Sequence, residues 1–287
     1  MVILVNINDL CENEDIEIRL ILEAIYLKYG YDFREYSRAH IKRRLLYRYA
    51  ISNFKSLSEM QHKIINDEKF FKSILLDFSI IVTEMYRDPE FYNSIRNNVL
   101  DKLKQHSFIK IWHAGCASGE EVYSMAILLK EEGIYEKTQI YATDFNEEVL
   151  SKAKEGIFPI ECIKEYTNNY QKAGGIGSFA DYYTANNDFV VIDPSLRKNI
   201  VFAHHNLVND GVFGEMNLIV CRNVLIYFTN KLKEKVIKLF LDSLSIGGYL
   251  WLGPKESLKF SEFENQFQIV AKEERIYRKK EECGMGE

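Results

Sequence analysis

The run Gly115-Cys116-Ala117-Ser118-Gly119-Glu120-Glu121 joins an apolar segment ending in Ile111-Trp112-His113-Ala114 to a mostly apolar run from Val122 to Leu129. A strand, a glycine loop and a helix commonly hold a phosphate on the helix N-terminus. Here two carboxylates occupy that end. A phosphate loop of the Walker type requires lysine after its last glycine, and Glu120 follows Gly119. A dinucleotide loop wants a middle glycine where Cys116-Ala117 stand, and paired glutamates repel a pyrophosphate.

A phosphate-free ligand with a cationic end suits the loop better. S-adenosylmethionine (SAM) carries an α-ammonium, a sulfonium, a carboxylate and a ribose diol. Small residues let the backbone approach it, and an adjacent acid balances its positive charge. Downstream, Thr138-Gln139-Ile140-Tyr141-Ala142-Thr143 ends in Asp144, and an acid at the tip of the second strand is the usual acceptor for ribose hydroxyls. Loop plus acid also fits a nucleotide site of another type. A second constellation lies in Asn217 to Phe228, where Arg222, Asn223 and Tyr227 fall at or just past a strand end. Open α/β sheets present their chemistry at such ends. An interface aromatic is the plain alternative for Tyr227.

His204-His205 could suggest a metal or a general base, but no second ligand cluster accompanies them, so no metal is expected. Cys116 and Cys221 lie close to the expected site and read as packing residues, since no activating partner is evident. The other cysteines, Cys11, Cys162 and Cys283, make five in all, scattered and never spaced C-x-x-C. That suits reduced cytosol rather than a disulfide framework. The N-terminus turns acidic at once and lacks a signal-peptide pattern, and no apolar run approaches a membrane span. A cytoplasmic location without membrane insertion is expected. The net charge of −5 argues against a general nucleic-acid binder.

The elements that must position these residues fall into two styles. The first 80 residues read as helices. Ile18, Ile21, Leu22 and Ile25 keep one face apolar before Gly30. Ile41, Leu45 and Tyr49 do so in the next helix, whose remainder is crowded by Arg34, Arg38, Lys42, Arg43, Arg44 and Arg48. Ser56-x-x-Glu59 is a capping box before a helix carrying Ile64, Phe71, Leu75 and Phe78. Asp88-Pro89-Glu90 predicts a helix start with Asp88 as N-cap acceptor, so Thr83 to Arg87 is a connector.

From about residue 108 strands and helices alternate. Strands are expected at 108–114, 138–143, 199–203, 216–221 and 249–253, and helices at 119–132, 146–155 and 230–244. This is the pattern of an α/β, doubly wound, mostly parallel sheet. Asn186-Asn187-Asp188 predicts a hairpin within 178–193, and the segment from Phe267 to Lys280 reads as two closing strands with a charged turn. Gly247-Gly248 reads as the turn into the strand at 249.

Five stretches in order, containing Thr83-Glu84-Met85-Tyr86-Arg87, the Gly115–Glu121 loop, Ala142-Thr143-Asp144, Cys221-Arg222-Asn223 and Gly247 to Leu258, resemble the CheR family of SAM-dependent protein-glutamate O-methyltransferases of chemotaxis-type signalling. The resemblance runs over roughly residues 14 to 280. It implies a Rossmann-like class I methyltransferase sheet with a closing antiparallel hairpin, a small inserted β-subdomain and an N-terminal all-helical domain. The corresponding boundaries are 1–80 for the helical, substrate-recognising domain, 81–107 for the connector and linking helix, and 108–280 for the SAM-binding domain, with the insertion at about 176–194.

The resemblance also implies roles. Cofactor contacts carry over to Thr83, Arg87, Gly115, Glu121, Asp144, Asn206, Leu207, Arg222 and Asn223, and catalytic positions to Arg87 and Tyr227, the latter beside the methyl group. Ile81 and Ser118 stand where family members have asparagine and threonine. The partner implied is an acidic helical region of a chemoreceptor-type protein, which Arg38, Arg43, Arg44 and Arg48 would bind and steer. A solvated face is the alternative for those arginines. The short turn at Asn186-Asn187-Asp188 counts against docking of a receptor tether peptide on the β-subdomain. A SAM-binding sensor module and a small-molecule methyltransferase are the competing readings. Esterifying a carboxylate with an ordinary pKa of about 4.3 needs little proton transfer, so positioning and water exclusion would dominate the catalysis.

Overall fold

The computed structural model describes residues 13–79 and 83–281; Cys11, Ile81 and Cys283 lie outside them. The chain divides into two compact units, residues 1–80 with 227–232, and residues 81–226 with 233–287.

In the helical unit, α1 (Asn13–Tyr29) buries Ile18, Ile21, Leu22 and Ile25, the i, i+3, i+4, i+7 face its sequence spells. Gly30, at φ +79°, closes it by donating its N–H to Tyr26 O. The second helix, α2 (Arg38–Ile51), buries His40, Ile41 and Leu45. The single helix expected after Ser56 is two, α3 (Leu57–Asn66) and α4 (Glu68–Phe78). Asp67 divides them: its N–H closes α3 on Lys63 O, and its side chain accepts Phe70 N–H to open α4. The capping box forms with a shift. Ser56 Oγ accepts Glu59 N–H at 3.1 Å, while Glu59 accepts Lys55 N–H at 2.7 Å. Tyr29 stacks on Phe71 at 3.7 Å between ring centroids.

Several basic side chains of this unit are paired within it. Arg34 pairs with Asp32 and Glu23, Arg38 with Asp15, Lys42 with Glu14, and Arg48 with Asp77. The broad basic face expected from the sequence is therefore reduced, because acids of α1 and α4 lie against it. Arg43 stays exposed, and Arg44 is half-buried.

The second unit holds a seven-stranded sheet of order β6-β2-β1-β7-β8-β10-β9. The strands are β1 (Ile109–Ala114), β2 (Thr138–Asp144), β6 (Ile200–His204), β7 (Met216–Cys221), β8 (Leu244–Leu252), β9 (Phe267–Ala271) and β10 (Ile276–Lys279). The first five pair in parallel, and β10 and β9 add antiparallel, closing the sheet with the expected hairpin. Strand β8 starts five residues earlier than expected. Gly247, at φ +74°, sits inside it where the register with β7 shifts, so Gly247-Gly248 form a bulge rather than an entry turn.

Three helices, α7 (Glu120–Glu131), α8 (Glu147–Glu155) and α10 (Asn230–Ser243), follow β1, β2 and β7. The connector leads into α5 (Pro89–Ile95), a π-helical stretch Arg96–Leu100 and the short α6 (Asp101–Leu103). A second sheet of order β3-β5-β4 joins β3 (Ile157–Pro159), β4 (Tyr183–Ala185) and β5 (Phe189–Ile192). The hairpin around Asn186-Asn187-Asp188 is present, but the small sheet also recruits β3, outside the expected 176–194. The intervening α9 (Ile163–Lys172) was equally unforeseen; β3 has only three residues, and α9 buries two tyrosines and an asparagine rather than an aliphatic stripe.

Strand order reverses direction between β1 and β7, because the chain builds outward to β6 and then returns. The crevice at the carboxyl ends of those strands is where an open α/β sheet binds ligands.

Candidate active site

The loop after β1 is shaped by its backbone. Gly115 N–H and Cys116 N–H both donate to Thr143 O, at 2.8 and 2.9 Å, which ties the loop to β2. Gly115, Ala117 and Gly119 take φ of +82°, +47° and +94°. A side chain at Gly115 would place Cβ 2.6 Å from Val224 Cγ2, so glycine is required by conformation and by space. Asp144, at the tip of β2, accepts Ala117 N–H on Oδ2 at 3.1 Å and Asn146 N–H on Oδ1 at 3.0 Å. Burial raises its carboxyl above the ordinary value, against those hydrogen bonds.

Glu121 and Arg222 form the charged centre. Arg222 Nη1 donates to Glu121 Oε2 at 3.1 Å, Nη2 to Asp88 Oδ2 at 2.8 Å, and both to Arg87 O at 3.3 Å. The guanidinium lies 4.8 Å from the Trp251 ring centroid and 5.0 Å from that of Phe91. The other Glu121 oxygen, Oε1, accepts from His113 Nδ1 at 3.0 Å. Burial pushes the Glu121 carboxyl up, but the His113 hydrogen bond and the Arg222 charge prevail and hold it below the ordinary value. Expected to meet a cationic ligand group, Glu121 thus already has a protein partner on each oxygen. Each carboxylate oxygen still has a second acceptor position.

Asp88 is not the side-chain cap its sequence suggests. It lies at φ +55° and makes no capping hydrogen bond; its carboxylate goes to Arg222, where both partners carry charge, whereas a cap would offer it only neutral backbone N–H groups. The connector is otherwise fastened by Tyr86 N–H on Ser124 Oγ at 2.9 Å and by Asn169 Nδ2 on Met85 O at 3.2 Å.

Glu120 turns away from this centre. Its Oε2 accepts from Ser118 Oγ at 2.7 Å, and burial pushes its carboxyl up to about 7. Beyond β7, Glu256 organises the chain. Its carboxylate accepts backbone N–H groups of Gly253 (2.7 Å), Val224 (2.8 Å), Asn223 (3.0 Å) and Ile226 (3.3 Å). That fixes Asn223 in its left-handed conformation, φ +61°.

A family model described as CheR methyltransferase, SAM binding domain, matches residues 81–276, and one described as CheR methyltransferase, all-alpha domain, matches residues 16–79. The chain belongs to the CheR methyltransferase family. It is 49% identical to Cher3 of Pseudomonas putida over 93% of this chain and 98% of that one. It is also 29% identical to a chemotaxis protein methyltransferase of Listeria innocua, over 80% of this chain and 85% of that one. With one of Borreliella burgdorferi it shares 29%, over 85% and 88%.

The cofactor of this CheR methyltransferase is SAM, and the residues at the crevice fit it. The loop carries acids and no lysine, which opposes a phosphate. Arg87 suits a carboxylate, and Asp144 stands at the tip of β2 as an acceptor. The structure joins Arg222 to Glu121 and to the backbone carbonyl of Arg87, while Asn223, next in the chain, is held separately by Glu256, and Gly115 packs against Val224. Thr83 is half-buried at the start of the connector. Asn206 and Leu207 form the turn after β6, where Asn206 Oδ1 accepts Val208 N–H at 3.0 Å. Tyr227 groups with the helical unit: its carbonyl accepts Ser37 N–H at 2.7 Å and its ring lies 4.7 Å from His40.

His113, Asp88 and Glu256 were missed by sequence reasoning. A histidine inside an apolar strand was a visible signal. The other two sat in stretches that already had a local explanation. Among the described residues no cluster could hold a metal, and no helix is long and apolar enough to cross a membrane. Burial raises the thiols of Cys116 and Cys221 well above the ordinary value, as packing residues require.

Proposed function

We propose that this CheR methyltransferase esterifies glutamate side chains on an acidic helical region of a chemoreceptor-type protein, forming glutamate 5-methyl esters in the cytoplasm. The observation that carries the reading is that the helical and SAM-binding modules occur together in this chain. Relatives named chemotaxis protein methyltransferase match it over most of their length.

SAM, when bound, supplies an electrophilic methyl group on a good leaving group. The chain's own residues would bind and orient. Asp144 accepts the ribose hydroxyls, Asn206 and Leu207 flank the adenine, and Glu121 meets the cationic end. Thr83, Gly115, Arg222 and Asn223 complete the contacts, and Arg87 orients a carboxylate. Tyr227 borders the methyl path, and the arginines of α2 receive the acidic substrate. Proton transfer has little part, since the nucleophile is already ionised at neutral pH. The in-line geometry and exclusion of water supply the rate.

The test is transfer of radiolabelled methyl from SAM to purified receptor signalling fragments. Label released as methanol by mild base is expected, with transfer strongly reduced in Arg87→Ala. Base-stable label would point to another acceptor atom. Binding of S-adenosylhomocysteine (SAH) without any transfer would leave a sensor module.

A further inference from the structure

We propose that His113 is a positioning residue of the cofactor site, its buried ring holding the Glu121 carboxylate in the orientation that serves SAM. The proposal rests on the reading of Glu121 as a cofactor contact. His113 sits on β1, 0% exposed, on the strand face that also carries Ile109 and Ile111. Its Nδ1 lies 3.0 Å from Glu121 Oε1. A carboxylate only accepts, so Nδ1 carries the hydrogen.

Glu121 is therefore pinned from two sides, by the strand beneath it and by Arg222 from the loop after β7. Neither bond alone stops the carboxylate turning about its last torsion; the two together do. The remaining acceptor positions of both oxygens then have fixed directions, which is what preorganised recognition of a cationic group requires.

The second observation concerns the other ring nitrogen. His113 Nε2 is buried and has no hydrogen-bond partner among the described residues. A histidine serving stability alone would satisfy both nitrogens, because an unsatisfied buried polar atom is a cost. An aliphatic side chain would fill this strand position without that cost. The ring thus offsets a loss of stability with its one bond to Glu121. The other groups that feel the Glu121 charge are Arg222, Tyr92, Cys116 and Cys221. Burial raises the hydroxyl and both thiols, keeping them neutral, so among the described residues the carboxylate is held by His113 and Arg222.

The test pairs His113→Leu, which keeps bulk and removes the donor, with His113→Asn, which returns an amide N–H near the Nδ1 position. SAH affinity is read by calorimetry and stability by thermal melting. We expect His113→Leu to bind about 10- to 100-fold more weakly, the range for a hydrogen bond to a charged group, with a lowered Tm because Glu121 loses a buried donor. His113→Asn should bind within about threefold of the parent. Unchanged binding by His113→Leu, or equal loss in both variants, would overturn the proposal. So would imidazole nitrogen spectra of the parent protein showing no hydrogen on His113 Nδ1, a measurement that needs no variant to fold. A parent protein that binds no SAH would instead remove the cofactor reading itself.

Discussion

Arg222 and Glu121 neutralise each other in the interior, with Nη1 3.1 Å from Oε2 and the arginine side chain 1% exposed. Replacing Arg222 by Met leaves Glu121 and Asp88 without their shared cation. Removing one partner from a buried pair costs about 3–5 kcal/mol, so urea denaturation of Arg222→Met should show a loss of that order, together with weaker SAH binding. Arg222→Lys keeps the charge but not the fork that reaches Glu121, Asp88 and Arg87 O at once, and should fall between. A Met variant as stable as the parent would contradict the geometry.

Glu120 gives a pH signature. Burial raises its carboxyl from 4.5 to about 7. Between those values the folded protein holds a proton that the unfolded chain has released. The stability contributed by this group is full below pH 4.5 and is lost as pH rises through 7. Glu120→Gln lacks this loss, and its amide oxygen can still accept from Ser118. It should be more stable than the parent at pH 8, by on the order of 3 kcal/mol, and no more stable at pH 4. Parallel stability curves across that window would refute the assignment.

Glu256 collects four backbone N–H groups. Glutamine offers one oxygen and turns an NH2 toward donors. Glu256→Gln should therefore cost about 2–4 kcal/mol, since at least one buried donor loses its acceptor. SAH affinity should fall with it as Asn223 loosens. Stability loss with unchanged affinity would separate this loop from the cofactor.

Gly115→Ala combines a left-handed backbone with an overlap on Val224. A non-glycine residue there costs roughly 1–2 kcal/mol, and the overlap adds about 1–3 kcal/mol. Adding Val224→Ala should recover only the overlap part. A double-mutant cycle measures the split, and full recovery would show that the backbone is not under strain.

On α2, charge reversal should separate two kinds of arginine. Arg43→Glu should leave stability within about 0.5 kcal/mol, slow methyl transfer to an acidic receptor fragment and flatten its salt dependence. Arg48→Glu opposes Asp77, now 2.5 Å from Arg48 Nε, and should destabilise the protein by about 2 kcal/mol, between the surface and buried limits. A salt response unaltered by Arg43→Glu would reject steering.

Much of this architecture is legible along the chain, because its signals are local. Ile18 to Ile25 carry the period of α1, Gly30 its stop, and the alternation after residue 108 the wound sheet. Where two signals overlap locally, the chain alone does not separate them. Asp67 can end one helix and start another, and its apolar neighbours on both sides read as one run. Asp88-Pro89 has a cap's composition, but the carboxylate found a stronger partner 134 residues away. The basic face of α2 shrinks because α1 and α4 fold acids against it.

The sequence by itself determined what the loop opposes, a phosphate. Small residues, two acids and no lysine are chemical facts of residues 115 to 121, independent of how the chain folds. Tertiary structure decided what each acid does. Glu120 and Glu121 are adjacent in the chain, yet the helix turns them in different directions. One meets a loop hydroxyl in an apolar setting and is pushed toward neutrality. The other meets His113 from β1 and Arg222 from the loop after β7, and is held ionised. Charge at a buried site depends on which partners arrive through space.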